Sequence, residues 1–139
     1  MADLEYELKI ITPERVMYTH PVRRIIFQST EGEMAVLKGH IPLTTVIASS
    51  VFHIVLDDES GQEKELTLAV HEGFVEILPE QVTILTESAE WPDEIDPERA
   101  ERAKKRAEER IHEHAPNTDM RRAEMALRRS LIRLETIRH

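Results

Sequence analysis

The sequence has no cysteine, only four glycines and 4% aromatic residues in 139. Without a thiol it can have no disulfide scaffold, thiolate nucleophile or cysteine-bound zinc, which fits a reducing cytoplasm. No run approaches the ~18 consecutive apolar residues of a membrane-spanning helix. The acidic start lacks the basic segment ahead of an apolar stretch that marks a secretory leader. With glycine so scarce, no Gly-rich phosphate loop can be written. None of the seven histidines forms the i, i+4 pair of a helical zinc site, and His112 and His114 point to different sides of a helix. No nucleophile motif stands out, so an enzyme is the weaker class of reading.

Basic residues are scarce in one part of the chain and abundant in another. Residues 1–90 hold 6 Lys and Arg against 16 Asp and Glu, whereas Met120–His139 holds 6 against 2. This is an acidic body with a basic tail, and the tail calls for an anionic partner. The acidic field of the whole chain, net −9, argues against nucleic acid.

Short apolar runs broken by turn formers dominate the first 85 or so residues. Strands are predicted at Tyr6–Ile11, Val22–Phe27, Met34–Leu37, Val51–Leu56, Glu65–Val70, Phe74–Leu78 and Val82–Leu85. Pro, Gly and Asp clusters separate them, such as Asp57-Asp58-Glu59-Ser60-Gly61 and Pro79-Glu80-Gln81. Many short Val- and Ile-rich strands at this spacing point to an antiparallel β-sandwich or barrel.

After Trp91-Pro92 the period changes. Asp96-Pro97-Glu98 starts a helix, with a cap, a proline at the first position and an acid in the first turn. Ala100, Ala103, Ala107 and Ile111 form one narrow stripe; Met120, Ala123, Leu127, Leu131 and Leu134 form another beyond the breaker Pro116-Asn117-Thr118-Asp119. The two stripes predict an antiparallel helical hairpin. Its alanine-rich seam buries too little area to stand alone, so docked and undocked forms lie close in free energy. The expected division is a β-sandwich over 1–86, a hinge over 87–94 and the hairpin over 95–139.

Arginines line both helices. Arg99, Arg102, Arg106 and Arg110 follow spacings of 3, 4 and 4, and Arg122, Arg129 and Arg133 share a face of the second helix. If the helices pair, two guanidinium rows converge on one groove, and guanidinium forks match phosphate oxygens. Glu90 and Asp96 near its mouth can accept from ribose or base. The i, i+4 pairs Glu98–Arg102, Glu101–Lys105 and Glu124–Arg128 make a salt-bridged, solvated surface a sufficient account of the same charges.

Several strings occur together in a specific order: Thr12-Pro13-Glu14, Thr30-Glu31-Gly32-Glu33, Gly39-His40-Ile41-Pro42-Leu43, Gly73-Phe74-Val75-Glu76-Ile77, Val82-Thr83-Ile84-Leu85 and Ile95-Asp96-x-x-Arg99-Ala100. In order and spacing the chain resembles the epsilon-subunit family of bacterial rotary ATP synthases over nearly its whole length. The resemblance implies a sandwich that sits on the membrane rotor ring of c subunits and grips the gamma shaft. It also implies a hairpin that folds on the sandwich or extends to acidic segments of the beta subunits, inhibiting ATP hydrolysis. Such a subunit is accessory and non-catalytic, peripheral at the cytoplasmic face of the bacterial cell membrane, and does not insert. ATP, with or without Mg, is its regulatory ligand, and no prosthetic group is implied. By resemblance the ATP residues are Glu90, Ile95, Asp96, Arg99, Ala100, Arg106, Arg129 and Arg133, and the rotor and shaft contacts are Glu31, Glu33 and His40. Trp91, beside Glu90, is expected to report ATP binding by fluorescence. The family usually has a small residue and a glycine ahead of Gly73-Phe74; His71 and Glu72 stand there instead, a change expected near the rotor surface. Ala35 replaces a common glycine. The alternatives are a stand-alone nucleotide-sensing module, separated by co-purification with gamma, and a small hydrolase, separated by turnover of the isolated chain.

Overall fold

The computed structural model describes residues 4–138. Its strands are β1 (Tyr6–Ile11), β2 (Val16–Val22), β3 (Arg24–Ser29), β4 (Gly32–Leu37), β5 (Leu43–Ile47), β6 (Ser50–Asp57), β7 (Glu63–Ile77) and β8 (Gln81–Glu90). A 3-10 turn at Pro92–Glu94 leads to the helices α1 (Pro97–Glu113) and α2 (Met120–Arg138). The architecture is therefore the expected β-sandwich followed by two helices. Neighbouring strands run β2-β1-β8-β7-β5-β3-β4, and β6 joins β3 to β7. Pairing is antiparallel except where β1 lies parallel to β8.

Two strands lie outside the sequence expectation. β2 carries Pro21 and mixed polarity; it pairs only with β1, an edge position that tolerates a proline. β5 exposes Leu43, Thr44 and Val46, so it lacks the usual apolar–polar alternation. The segments predicted as separate strands at 65–70 and 74–78 are one continuous strand, β7. β8 likewise continues past Leu85, because Ser88, Ala89 and Glu90 pair with His71, Val70 and Ala69. Residues 87–90, read as hinge, are thus the end of a strand.

These long strands change partners partway. β6 pairs with the first half of β7, and β5 with the second half. At the changeover, Glu72 has φ 59° and Gly73 has φ 156°. The backbone groups released from the ladder there are collected by side chains: the Thr86 hydroxyl lies within 3.2 Å of the carbonyls of His71, Glu72 and Ser88. Such local kinks let one strand serve both layers.

The main core fills the sandwich, with Phe27 and Phe52 stacked at 4.9 Å between centroids. A second cluster of Val51, Ala69, Ile95 and Ile132 joins the outer face of β6 and β7 to α2. Strands covered on both faces explain the unbroken buried runs Ser50-Val51-Phe52 and Leu68-Ala69-Val70-His71. α1 packs mainly on α2 through buried Ala100, Ala107 and Ala123. Leu131, expected in that seam, is 44% exposed; Ile132 and Thr136 on a neighbouring face are buried instead. The helix needs two apolar faces, one for α1 and one for the sheet, and a single stripe does not reveal the second.

Because the main core includes Ala89 and packs Trp91 but no residue of α1 or α2, a fragment ending at Asp93 is expected to fold. Far-UV circular dichroism should show a β spectrum with the helical signal gone. A coil spectrum would place part of the sandwich's stability in the hairpin.

Candidate functional site

Asp96 caps α1: its Oδ1 accepts from the amides of Glu98 at 3.0 Å and Arg99 at 3.2 Å. That cap aims the first turns of α1 across the end of β8 and toward α2. Between them lies a cavity of about 340 Å³ lined by Glu90, Glu94, Ile95, Asp96, Arg99, Ala100, Ala103, Arg106 and Arg133. Its size is at the low end for small-molecule sites. Arg99 and Arg106 are seven residues apart, about two helical turns, so they share a face. Among the described residues neither guanidinium has a carboxylate partner. Ala100 and Ala103 keep the floor between them open.

The acids of this wall are already engaged. Glu90 Oε1 accepts from Arg133 Nε at 2.7 Å and from His71 Nε2 at 3.0 Å. Partial burial opposes ionisation of Glu90, but the hydrogen bonds and charges of His71 and Arg133 outweigh it and hold the carboxyl below its usual range. Glu94 is lowered chiefly by the backbone N–H of Trp91, with help from Arg15. The lining thus offers three arginines, two of them uncommitted, and acids already engaged by other partners. This donor set fits a phosphate-bearing ligand.

Both carboxyls ionise more readily in the fold than in an open chain. Their stabilising contribution is therefore complete above the usual carboxylate value of ~4.3 and is lost as pH falls through the folded values. Acid titration followed by hydrogen exchange should show α2 loosening only as pH falls below the usual carboxylate range. Glu90→Gln should flatten that dependence.

The remaining candidates fall elsewhere. Arg129 lies outside the cavity lining, its Nη2 3.5 Å from Glu72 Oε1. The arginine row of α1 does not act as one unit. At about 100° per residue Arg102 falls ~60° to one side of Arg99 and is exposed. Arg110, about 16 Å further along by the 1.5 Å rise, joins Arg122, Asn117 and Asp119 round a separate hollow at the hairpin tip. Trp91 does not line the cavity; its ring sits 6.4 Å from that of Tyr18, and it borders a recess with Glu65 and Leu66.

Glu31 and Glu33 lie at the turn from β3 to β4, while His40 lies beyond the other end of β4. The six residues of β4 set Glu31 roughly 17 Å from the end of the strand that leads to His40, so the two lie at opposite ends of this strand. His71 and Glu72 face α2, through Glu90 and Arg129, rather than forming an isolated turn. Sequence reading also missed an apolar hollow of about 580 Å³ bordered by Ile11, Pro13, Val46, Phe74 and Leu85. Val46, Phe74 and Leu85 are 42%, 56% and 52% exposed. Adjacent exposed apolar side chains of this kind mark a binding surface. Among the described residues no cluster of His, Asp or Glu is arranged to hold a metal, and no helix is long and apolar enough to cross a membrane.

Comparison with known families covers residues 5–138. The family of the ATP synthase delta/epsilon chain β-sandwich domain matches residues 5–92, and that of its long α-helix domain matches 93–138. The ATP synthase epsilon chain of Caldanaerobacter subterraneus subsp. tengcongensis is 42% identical over 133 residues, covering 96% of this chain and 94% of its own. That of Natranaerobius thermophilus is 37% identical over 138 residues, covering 99% and 96%. A chain of the Euglena gracilis mitochondrial ATP synthase, solved as OSCP/F1/c-ring, superposes with a TM-score of 0.80 at 25% identity, covering 98% of this chain and 82% of that one. A chain of the Tetrahymena thermophila central stalk and c-ring shares the fold, with a TM-score of 0.53 at 15% identity over 94% of this chain and 93% of its own.

Proposed function

The chain belongs to the ATP synthase delta/epsilon family, and from that premise we propose that it is an epsilon subunit whose sandwich couples the rotor ring to the gamma shaft and whose hairpin restrains ATP hydrolysis under the control of bound ATP. One observation carries the nucleotide part. Arg99 and Arg106 of α1, Arg133 of α2, Glu90 of β8 and the Ile95-Asp96 connection wall a single cavity.

Those walls meet only while α2 lies on the sandwich and α1 lies on α2. Bound ATP supplies a polyanion that draws the three guanidinium groups together. Undocking the hairpin separates Arg133 from Glu90 and dismantles the site, so any ligand of the cavity favours the docked form. A decisive shift needs about 5 kcal/mol of differential binding, within reach of several charge-assisted hydrogen bonds. Once released, the basic α2 suits acidic segments of the beta subunits. The chain acts as an accessory regulator and leaves the chemistry to other subunits.

The apolar hollow round Phe74 and Leu85 suits the gamma shaft. Glu31 and Glu33 at one end of β4, and His40 at the other, serve the rotor and shaft contacts. The subunit works peripherally, at the cytoplasmic face of the bacterial membrane, as part of the complex. Titrating ATP into the full chain by calorimetry tests the central claim: one saturable site per chain is expected, and heats no larger than dilution would overturn it. Phe74→Asp should abolish co-purification with gamma while leaving ATP binding intact; retained gamma would remove the hollow from the shaft contact.

A further inference from the structure

His71, on β7, is 1% exposed and does not line the cavity, yet it touches the wall from behind. Its Nε2 lies 3.0 Å from Glu90 Oε1, the same oxygen that takes Arg133 Nε at 2.7 Å. An ionised carboxylate only accepts, so Nε2 carries a hydrogen and donates. Nδ1 lies 3.1 Å from the buried hydroxyl of Ser49, in the join between β5 and β6. In the neutral ring Nδ1 accepts from that hydroxyl. In the charged ring the hydroxyl rotates and accepts from Nδ1–H. The ring can therefore gain a proton without leaving any buried polar group unpartnered.

Charged groups of both helices and of the turn before α1 lie round the pair. From α2, Arg133 reaches Glu90, Arg128 donates to the Ser49 carbonyl at 3.2 Å, and Arg129 faces Glu72. From α1 and the turn before it, Arg99, Arg106, Asp96 and Glu94 line the opposite wall. A phosphate entering the cavity competes with Glu90 for Arg133. If Arg133 turns to the phosphate, Glu90 loses one of its two donors just as a second anion arrives beside it. A cationic imidazole behind Glu90 restores the balance.

Resting on the ATP reading above, we propose that His71 is a positioning residue that couples nucleotide binding to uptake of a proton, so that ATP holds the docked hairpin more tightly as pH falls. The proton passes from solvent to Nδ1, and no bond of the nucleotide breaks. Imidazole is the side chain suited to such a response near neutrality.

Calorimetry of the full chain with ATP at pH 7.5, in buffers of different ionisation enthalpy, reads the proton count directly. At that pH the terminal phosphate of ATP, like other phosphoryl groups whose last pKa lies at ~6, is already largely ionised. The unmodified chain is expected to take up a proton on binding, with affinity rising by at most about tenfold per pH unit lowered. His71→Gln keeps an N–H donor for Glu90 but cannot titrate; it should bind ATP with no uptake and a flat pH profile. Ser49→Ala, which leaves a charged Nδ1–H without an acceptor, should blunt the response in the same direction. Equal proton counts in the unmodified and glutamine chains would overturn the role of His71 while leaving the ATP site standing. Should the glutamine chain not fold, as judged by circular dichroism, zero uptake by the unmodified chain would overturn it equally. No ATP binding by the unmodified chain at any pH would remove both readings.

Discussion

Replacing Arg133 by alanine is expected to weaken ATP binding by roughly 10- to 150-fold, the loss of hydrogen bonds to a charged group worth ~1.5–3 kcal/mol. Arg133 is the one cavity-lining residue that α2 contributes, so it alone ties a ligand to the second helix. The same change frees Glu90, which keeps His71 as a donor, so the fold should survive. Arg129→Ala makes the contrast. Its partner is Glu72 on the sheet, in a pair that is 37% and 44% exposed, and exposed pairs contribute at most ~1 kcal/mol. It should loosen α2 slightly and alter ATP affinity only a few-fold. Calorimetry on the two single mutants decides between them. Equal losses would put Arg129 among the ligand contacts after all, and no loss from Arg133→Ala would return the arginines to a solvated, salt-bridged surface. In the assembled enzyme Arg133→Ala should leave hydrolysis more inhibited at high ATP than in the unmutated complex, because the docked form has lost its ligand.

Gly73→Ala is expected to destabilise the sandwich by more than ~3 kcal/mol, beyond the usual 1–3 kcal/mol of overpacking, because backbone rather than a flexible side chain must move. A Cβ at Gly73 would stand 2.1 Å from the Leu85 carbonyl oxygen and 2.8 Å from the Thr86 Cα. The strand pair β7–β8 would have to part at its bend. Against a typical total of 5–15 kcal/mol this is a large loss, visible as a fall in Tm of about 10 °C or more. The damage should also reach function, since the bend presents His71 and Glu72 to Glu90 and Arg129. Gly39→Ala is the control: its φ of 82° strains a side chain, but nothing lies within 4 Å of the new Cβ. That change should cost only about 1 kcal/mol. Equal Tm losses for both variants would show that the close approach at Gly73 relaxes freely.

The order of the elements, the two helix starts and the chemistry of the cavity wall were legible in the sequence, because each depends on near neighbours. Alternation over a few residues identified most strands. Asp96-Pro97-Glu98 marked the start of α1, and Asp119, whose Oδ1 accepts from the Arg122 amide at 3.1 Å, marked that of α2. The string from Ile95 to Ala100 placed an acid and an arginine one turn apart. Spacing overreached where geometry finer than one turn mattered: it grouped Arg102 with Arg99 and Arg106, and Arg129 with Arg133.

What only the tertiary structure decided are contacts between residues far apart in the chain. His71 meets Glu90 across 19 positions, Glu90 meets Arg133 across 43, and Glu72 meets Arg129 across 57. No local period encodes such pairs; they follow from the bend shared by β7, β8 and the β5–β6 join, and from the second apolar face that seats α2 on it. The same folding carried Glu31 and His40 to opposite ends of β4 and assembled Val46, Phe74 and Leu85 from three strands into one exposed patch. By itself the sequence determined which local elements form and which charges they carry. Packing determined which of those charges face one another, because burial and strand pairing act on the whole chain at once, while spacing constrains only a few residues at a time.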